Sequence, residues 1–124
     1  MDKIKIALIE NNKILSEAIY QGLVDTGYDV ARAYDGEDGY NMVLNERPSL
    51  ILLDILLPKM DGISLAKKLK NDSTLKDVPI IILTMLDQPE PIAEAINIGV
   101  KQYLIKSDHK VEDIILMVRE SLKN

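Results

Sequence analysis

Cysteine, phenylalanine and tryptophan are all missing from the 124 residues, and histidine occurs once. Without cysteine there is no disulfide and no thiol nucleophile, although the compartment stays open. The one histidine, His109, has no second histidine or cysteine with which to share a soft metal. It reads as a surface or capping residue. The five tyrosines are scattered, so they form no cluster suited to a flavin. No glycine-rich phosphate loop follows the first apolar run. No apolar run approaches the ~20 residues that a membrane span needs. Lys and Arg number 15 against 20 Asp and Glu, giving a net charge of -5, and no basic run occurs. Nucleic-acid binders carry a basic patch. These charges argue against direct nucleic-acid binding and favour a protein partner or a metal.

What is present is ordinary in bulk: 47% apolar and 28% charged residues, as in a globular protein. Residues 1–124 are expected to form a single domain. Met1-Asp2-Lys3 leads straight into a strand, with no leader pattern, so a cytoplasmic protein is the default expectation.

Four short apolar runs each stop at a polar residue. Residues 4–9 are followed by Glu10 and Asn11, residues 50–53 by Asp54, residues 80–83 by Thr84, and residues 103–105 by Lys106. As parallel strands of one sheet they would gather two acids, an amide, a hydroxyl and an amine at its carboxyl edge. Ligands bind at that edge in open α/β sheets, where strand order reverses.

The hydrophobic period alternates between strand-like and helix-like. Helical spacing places Leu15, Ala18, Ile19 and Leu23 on one stripe of a helix over 12–25, ended by Gly27. Residues 28–33 read as a charged edge strand. Asp35-Gly36 turns the chain before a helix over 37–46. The run 49–53 is apolar throughout, as expected of a strand covered on both faces. A loop over 55–61 precedes a helix over 62–70, and a polar connection over 71–78 precedes the fourth strand. A helix over 90–98, a strand over 101–105 and a helix over 110–122 complete the chain. The last helix puts Val111, Ile114, Ile115, Val118 and Leu122 on its inner stripe. Five strands alternating with five helices predict a parallel sheet with helices on both faces.

The chemistry of the strand-end residues is that of phosphoryl transfer. Asp54 offers a carboxylate nucleophile that can form an aspartyl phosphate. Glu10 beside it is unfavourable alone and favourable around Mg²⁺, which takes oxygen ligands. Equally, Glu10, Asn11 or Asn12 can cap the following helix. Thr84 can donate its hydroxyl to a phosphoryl oxygen, or be purely structural. Lys106 can pair with phosphoryl oxygens or with Asp54. Met42, Met60, Met85 and Met117 read as core or loop packing.

The stretch Asp54-Ile55-Leu56-Leu57-Pro58-Lys59-Met60-Asp61-Gly62 resembles the signature of response-regulator receiver domains of two-component signalling. Ala33-Tyr34-Asp35-Gly36-Glu37 and Gly99 to Lys106 are similar to further family segments, and the resemblance spans essentially the whole chain. It implies a flavodoxin-like, doubly wound α/β sheet of order 2-1-3-4-5 with five helices, as in chemotaxis regulators. It implies Asp54 as phosphoacceptor, with Thr84 and Lys106 binding the phosphoryl group. The implied Mg²⁺ ligands are Glu10, Asn11, Asp54 and the Leu56 backbone carbonyl. The implied switch pair is Thr84 and Tyr103, acting on the face made by the fourth helix, fifth strand and fifth helix. The implied partners are a sensor histidine kinase or phosphotransfer protein, and a downstream protein or attached output domain. Such a domain is a signalling switch that assists its own phosphorylation and dephosphorylation, not a turnover enzyme.

Four positions depart from the family pattern. Asn11 stands where the family has a second acid, which removes one charge from the Mg²⁺ site. Ser107 stands where the family has proline after a cis bond. A cis bond before a non-proline costs ~2.5–4 kcal/mol, so Lys106–Ser107 is expected to be trans. Met85 replaces a small residue and can screen the site. Leu56 cannot orient an attacking water. Slow phosphorylation and slow hydrolysis are expected, and rapid loss of phosphate from Asp54 in a timed assay would contradict this. Asn11, Met85 and Ser107 also support an alternative, opposed by the intact Asp54, Thr84 and Lys106: a degenerate receiver that acts as a phosphorylation-independent interaction module. A small flavodoxin-like cofactor or phosphatase domain is the weakest alternative.

Overall fold

The computed structural model describes residues 3–123. The elements run β1 (Lys5–Ile9), α1 (Lys13–Thr26), β2 (Asp29–Ala33), α2 (Gly36–Glu46), β3 (Leu50–Leu53) and α3 (Gly62–Lys70). They continue with β4 (Ile80–Thr84), α4 (Pro89–Ile98), β5 (Gln102–Ile105), a 3₁₀ turn (Lys106–Asp108) and α5 (Val111–Leu122). The five strands form one parallel sheet of order β2-β1-β3-β4-β5. Fold class and strand order are therefore as expected, and charged β2 is an edge strand.

Alternation along the strands divides the apolar side chains between two layers. Ile6, Leu8, Leu52, Ile81 and Leu83 face Ile19 and Leu23 of α1 and Ile114 and Val118 of α5. Ala7, Ile9, Ile51, Leu53 and Ile82 face Val43 of α2, Ile63, Leu65 and Leu69 of α3, and Ala95 of α4. Each such leucine or isoleucine contributes ~1.5–3 kcal/mol relative to exposure. Side chains start the first three helices. Asn12 accepts from the Leu15 amide, Asp35 from Asp38 and Asp61 from Ser64. Pro89 occupies the first position of α4, where its missing N–H leaves nothing unsatisfied.

Several boundaries and burials differ from expectation. Strands begin at Lys5, Asp29, Leu50 and Gln102, one residue late, because only there do ladder partners exist. Helices 37–46 and 90–98 begin one residue earlier, at Gly36 and Pro89. Ala18 is exposed and Ser16 is buried instead, so the inner stripe of α1 is rotated from the predicted one. Leu75, in the polar connection, is fully buried beneath α3 and β4. Met85 does not serve packing and is exposed. The segment after β5 forms a 3₁₀ turn, and Lys110, not His109, precedes α5. Met1 and Asp2, on which the expectation of no leader rests, lie outside the described residues. Among the described residues no helix is long and apolar enough to cross a membrane.

Candidate functional site

Strand order reverses between β1 and β3, and the register there sets Ile9 opposite Leu53. One step further on, Glu10 and Asp54 leave adjacent strand ends. Their backbones are still held: the Glu10 amide donates to the Ala33 carbonyl at 3.1 Å and the Asp54 amide to Ile9 at 3.0 Å. Both carboxylates are buried, with side chains 3% and 5% exposed. Two buried like charges need a counter-charge.

Lys106 supplies it. Its Nζ lies 2.8 Å from Asp54 Oδ2 and 3.0 Å from Glu10, donating to both. Thr84 at the end of β4 pairs with Ile105, so the residue after that pair is Lys106 itself. Burial alone would lower the Lys106 pKa, but the hydrogen bonds and charges of Asp54 and Glu10 outweigh it and hold the ammonium above its ordinary value. Glu10 moves the other way from a typical ion-paired acid. Burial raises its pKa more than the Asn12 amide and Lys106 lower it.

Asn12 settles the capping alternative. Its side chain caps α1, while its own amide donates to Glu10 Oε2 at 2.9 Å, so Glu10 does not cap the helix. Asp54 Oδ1 accepts the Leu56 amide at 3.2 Å. That bond and the one from Lys106 hold the two oxygens of the carboxylate in different directions.

Thr84 is fully buried, and its Oγ1 accepts a long bond of 3.5 Å from the Leu86 amide. The Tyr103 hydroxyl donates to the carbonyl of the same residue, Leu86, at 2.8 Å. Burial raises the Tyr103 pKa, with the charges of Asp54 and Asp87 adding to it. Asn11 is exposed beside Glu10, and Leu56 and Met85 are 54% and 57% exposed. No cis peptide bond occurs among the described residues, so Lys106–Ser107 is trans as expected.

The donors available to a cation are two carboxylates, the Asn11 amide and the Leu56 carbonyl, which no backbone amide among the described residues reaches. An all-oxygen set suits Mg²⁺. With two acids and a neutralising ammonium the set fits a weak site. Among the described residues no three His, Cys, Asp or Glu side chains cluster as a metal centre.

The chain is similar to known proteins over nearly its whole length. The family model for the response regulator receiver domain matches residues 6–119. The DNA-binding dual master transcriptional regulator RpaA of Synechocystis is 33% identical over 119 residues, covering 96% of this chain and 49% of that protein. The chain thus spans about half the length of that relative. Among solved structures, a CheY-like response regulator receiver domain protein from Methanospirillum hungatei superposes with a TM-score of 0.90 at 25% identity, covering 98% of this chain and 94% of that one. The phosphorylated cyanobacterial phytochrome response regulator RcpA superposes with a TM-score of 0.83 at 28% identity, covering 97% and 91%.

Proposed function

The chain belongs to the response-regulator receiver family, a family of signalling domains in two-component systems, and we propose that it is a phosphorylation-dependent switch centred on Asp54. The observation that carries this reading is the Lys106 ammonium set against the buried Asp54 and Glu10 carboxylates at the point where strand order reverses. Asp54 Oδ attacks the phosphorus of a phosphohistidine on a sensor kinase or phosphotransfer protein. The new O–P bond forms as the P–N bond breaks, and the imidazole nitrogen leaves with the electron pair. Lys106 then pairs with the transferred oxygens, and the Thr84 hydroxyl, which accepts a long bond from the Leu86 amide, donates to one of them. Glu10, Asp54, the Asn11 amide and the Leu56 carbonyl would hold Mg²⁺, which supplies charge neutralisation when bound.

The output in this reading is the face of α4, β5 and α5. Moving Thr84 disturbs Leu86, and Leu86 is bonded to Tyr103 on β5. Ile96 on α4 and Leu116 on α5 are exposed and available to a downstream protein or an attached output domain. Phosphate need only interact differently with two conformations to shift their populations. A second reading, a phosphorylation-independent interaction module, is favoured by Asn11, which leaves the site without a third acid.

One experiment separates the two. The protein is incubated with Mg²⁺ and a small acyl phosphate, and its intact mass is measured beside Asp54→Ala. A single phosphoryl increment, lost in the variant, supports the switch. No increment at any donor concentration supports the module.

A further inference from the structure

We propose that Asp35 and Gly36 are positioning residues for phosphoryl acceptance, clamping residues 58–60 of the loop after β3 and thereby setting the Leu56 amide that orients Asp54. The proposal rests on the reading of Asp54 as acceptor. Neither residue touches Asp54, and the link runs through the backbone.

The loop from Ile55 to Asp61 has one fixed end. The Leu57 and Gly62 amides both donate to the Ile55 carbonyl, at 2.9 and 2.8 Å. Leu56 itself is exposed, so its side chain anchors nothing. The far side of the loop is held by the first turn of α2. The Gly36 amide donates to the Pro58 carbonyl at 3.1 Å, which also accepts the Met60 amide at 2.8 Å. Gly36 approaches so closely that a Cβ there would lie 2.0 Å from the Met60 carbonyl oxygen. Only glycine allows that contact. Asp35 uses its two carboxylate oxygens differently. Oδ1 accepts from Asp38 and caps α2, while Oδ2 lies 3.7 Å from Lys59 Nζ.

Lys59 has a φ of 71°, in the left-handed region. A non-glycine residue there costs ~1–2 kcal/mol. The loop keeps that conformation because Pro58 and Met60 on either side are bonded to Gly36 or fitted against it. Released from α2, Lys59 has reason to leave it, and the Leu56 amide two residues before Pro58 moves with the loop. An error of ~1 Å at a reacting group can cost ~10²-fold in rate.

The test uses Gly36→Ala, with Asp35→Asn as a second variant. The latter keeps the cap, because asparagine caps as well as aspartate, removes the ion pair with Lys59 and leaves Lys59 left-handed. Gly22→Ala on α1, whose Cβ would press on the Ile115 side chain at 3.0 Å, controls for a packing defect elsewhere. Two quantities are read: the NMR shift and hydrogen exchange of the Leu56 amide, and the single-turnover rate of phosphorylation by a small acyl phosphate with Mg²⁺. Both loop variants should move the Leu56 amide and speed its exchange, and Gly36→Ala should slow phosphorylation by about tenfold or more. Gly22→Ala should do neither. A Leu56 amide and rate unchanged in Gly36→Ala, or a Leu56 amide unchanged in Asp35→Asn should the first not fold, would overturn the clamp. If the wild type takes up no phosphoryl group, the functional reading fails, and the amide signature alone still decides the clamp.

Discussion

Replacing Lys106 by methionine keeps most of the side-chain volume and removes the charge from between Asp54 and Glu10. The two carboxylates are 5% and 3% exposed, and the ammonium contacts them at 2.8 and 3.0 Å. Deleting one partner of a buried ion pair costs ~3–5 kcal/mol, because the orphaned charge stays out of water. Here two orphans remain, so the upper half of that range applies. A domain of this size has ~5–15 kcal/mol in total. With a urea slope of roughly 2 kcal/mol per M, the midpoint should fall by about 2 M.

The sign with pH follows from the direction of the Lys106 shift. Its folded pKa is raised, so its contribution is complete below 10.5 and is lost only as pH rises through the folded value. A measurement at pH 7.5 therefore sees all of it. Adding Glu10→Gln and Asp54→Asn to Lys106→Met should restore most of the loss, because the orphaned charges are gone. A loss below ~1 kcal/mol for Lys106→Met alone would match an exposed surface pair. That result would refute the claim that the ammonium bridges two buried acids.

Three further outcomes are expected. Asn11→Asp should tighten Mg²⁺ binding by about tenfold, since it adds a charged oxygen ligand. Unchanged affinity in a calorimetric titration would show that residue 11 is not a ligand. Glu10 has a raised folded pKa, so its contribution to stability is present below 4.5 and lost as pH rises through the folded value. Glu10→Gln should therefore melt above the wild type at pH 7.5, with the gain shrinking towards pH 4, and a lower melting temperature at pH 7.5 would contradict this. Gly62→Ala would place a Cβ 2.1 Å from the Asp54 carbonyl oxygen, and its nearest neighbours are all Asp54–Ile55 backbone, with no flexible group to yield. It should cost about 3 kcal/mol, the upper end of overpacking, and a urea midpoint equal to the wild type would show that the loop gives way freely.

Most of the fold was legible because its rules are local. The apolar run Leu50–Leu53 had to be a doubly covered strand, and the stripe Ile114–Val118 had to face inwards. The misses share one cause, which is that a neighbour decides. Ala18 is more apolar than Ser16, yet the rotation of α1 on the sheet buries the serine. Leu75 lies among polar residues and is buried because it joins the core layer to which α3 and β4 contribute. Gly36 reads as an ordinary turn residue, and its contact with Met60 lies 24 positions away in sequence. Asparagine at 11 and 12 gave equal capping signals, and only the geometry of the Asn12 side chain separated them.

By itself the sequence determined which residues could reach the carboxyl edge: strands alternate with helices, the strands run parallel, and four of the five strands stop at a residue able to bind a phosphoryl group or a cation. Only the tertiary structure decided how those groups share their charge. Lys106 stands 96 residues from Glu10 and 52 from Asp54 along the chain, and it neutralises both within 3.0 Å. Periodicity is encoded residue by residue. A buried ion triad depends on distances that exist only once β1, β3 and β5 stand in one sheet.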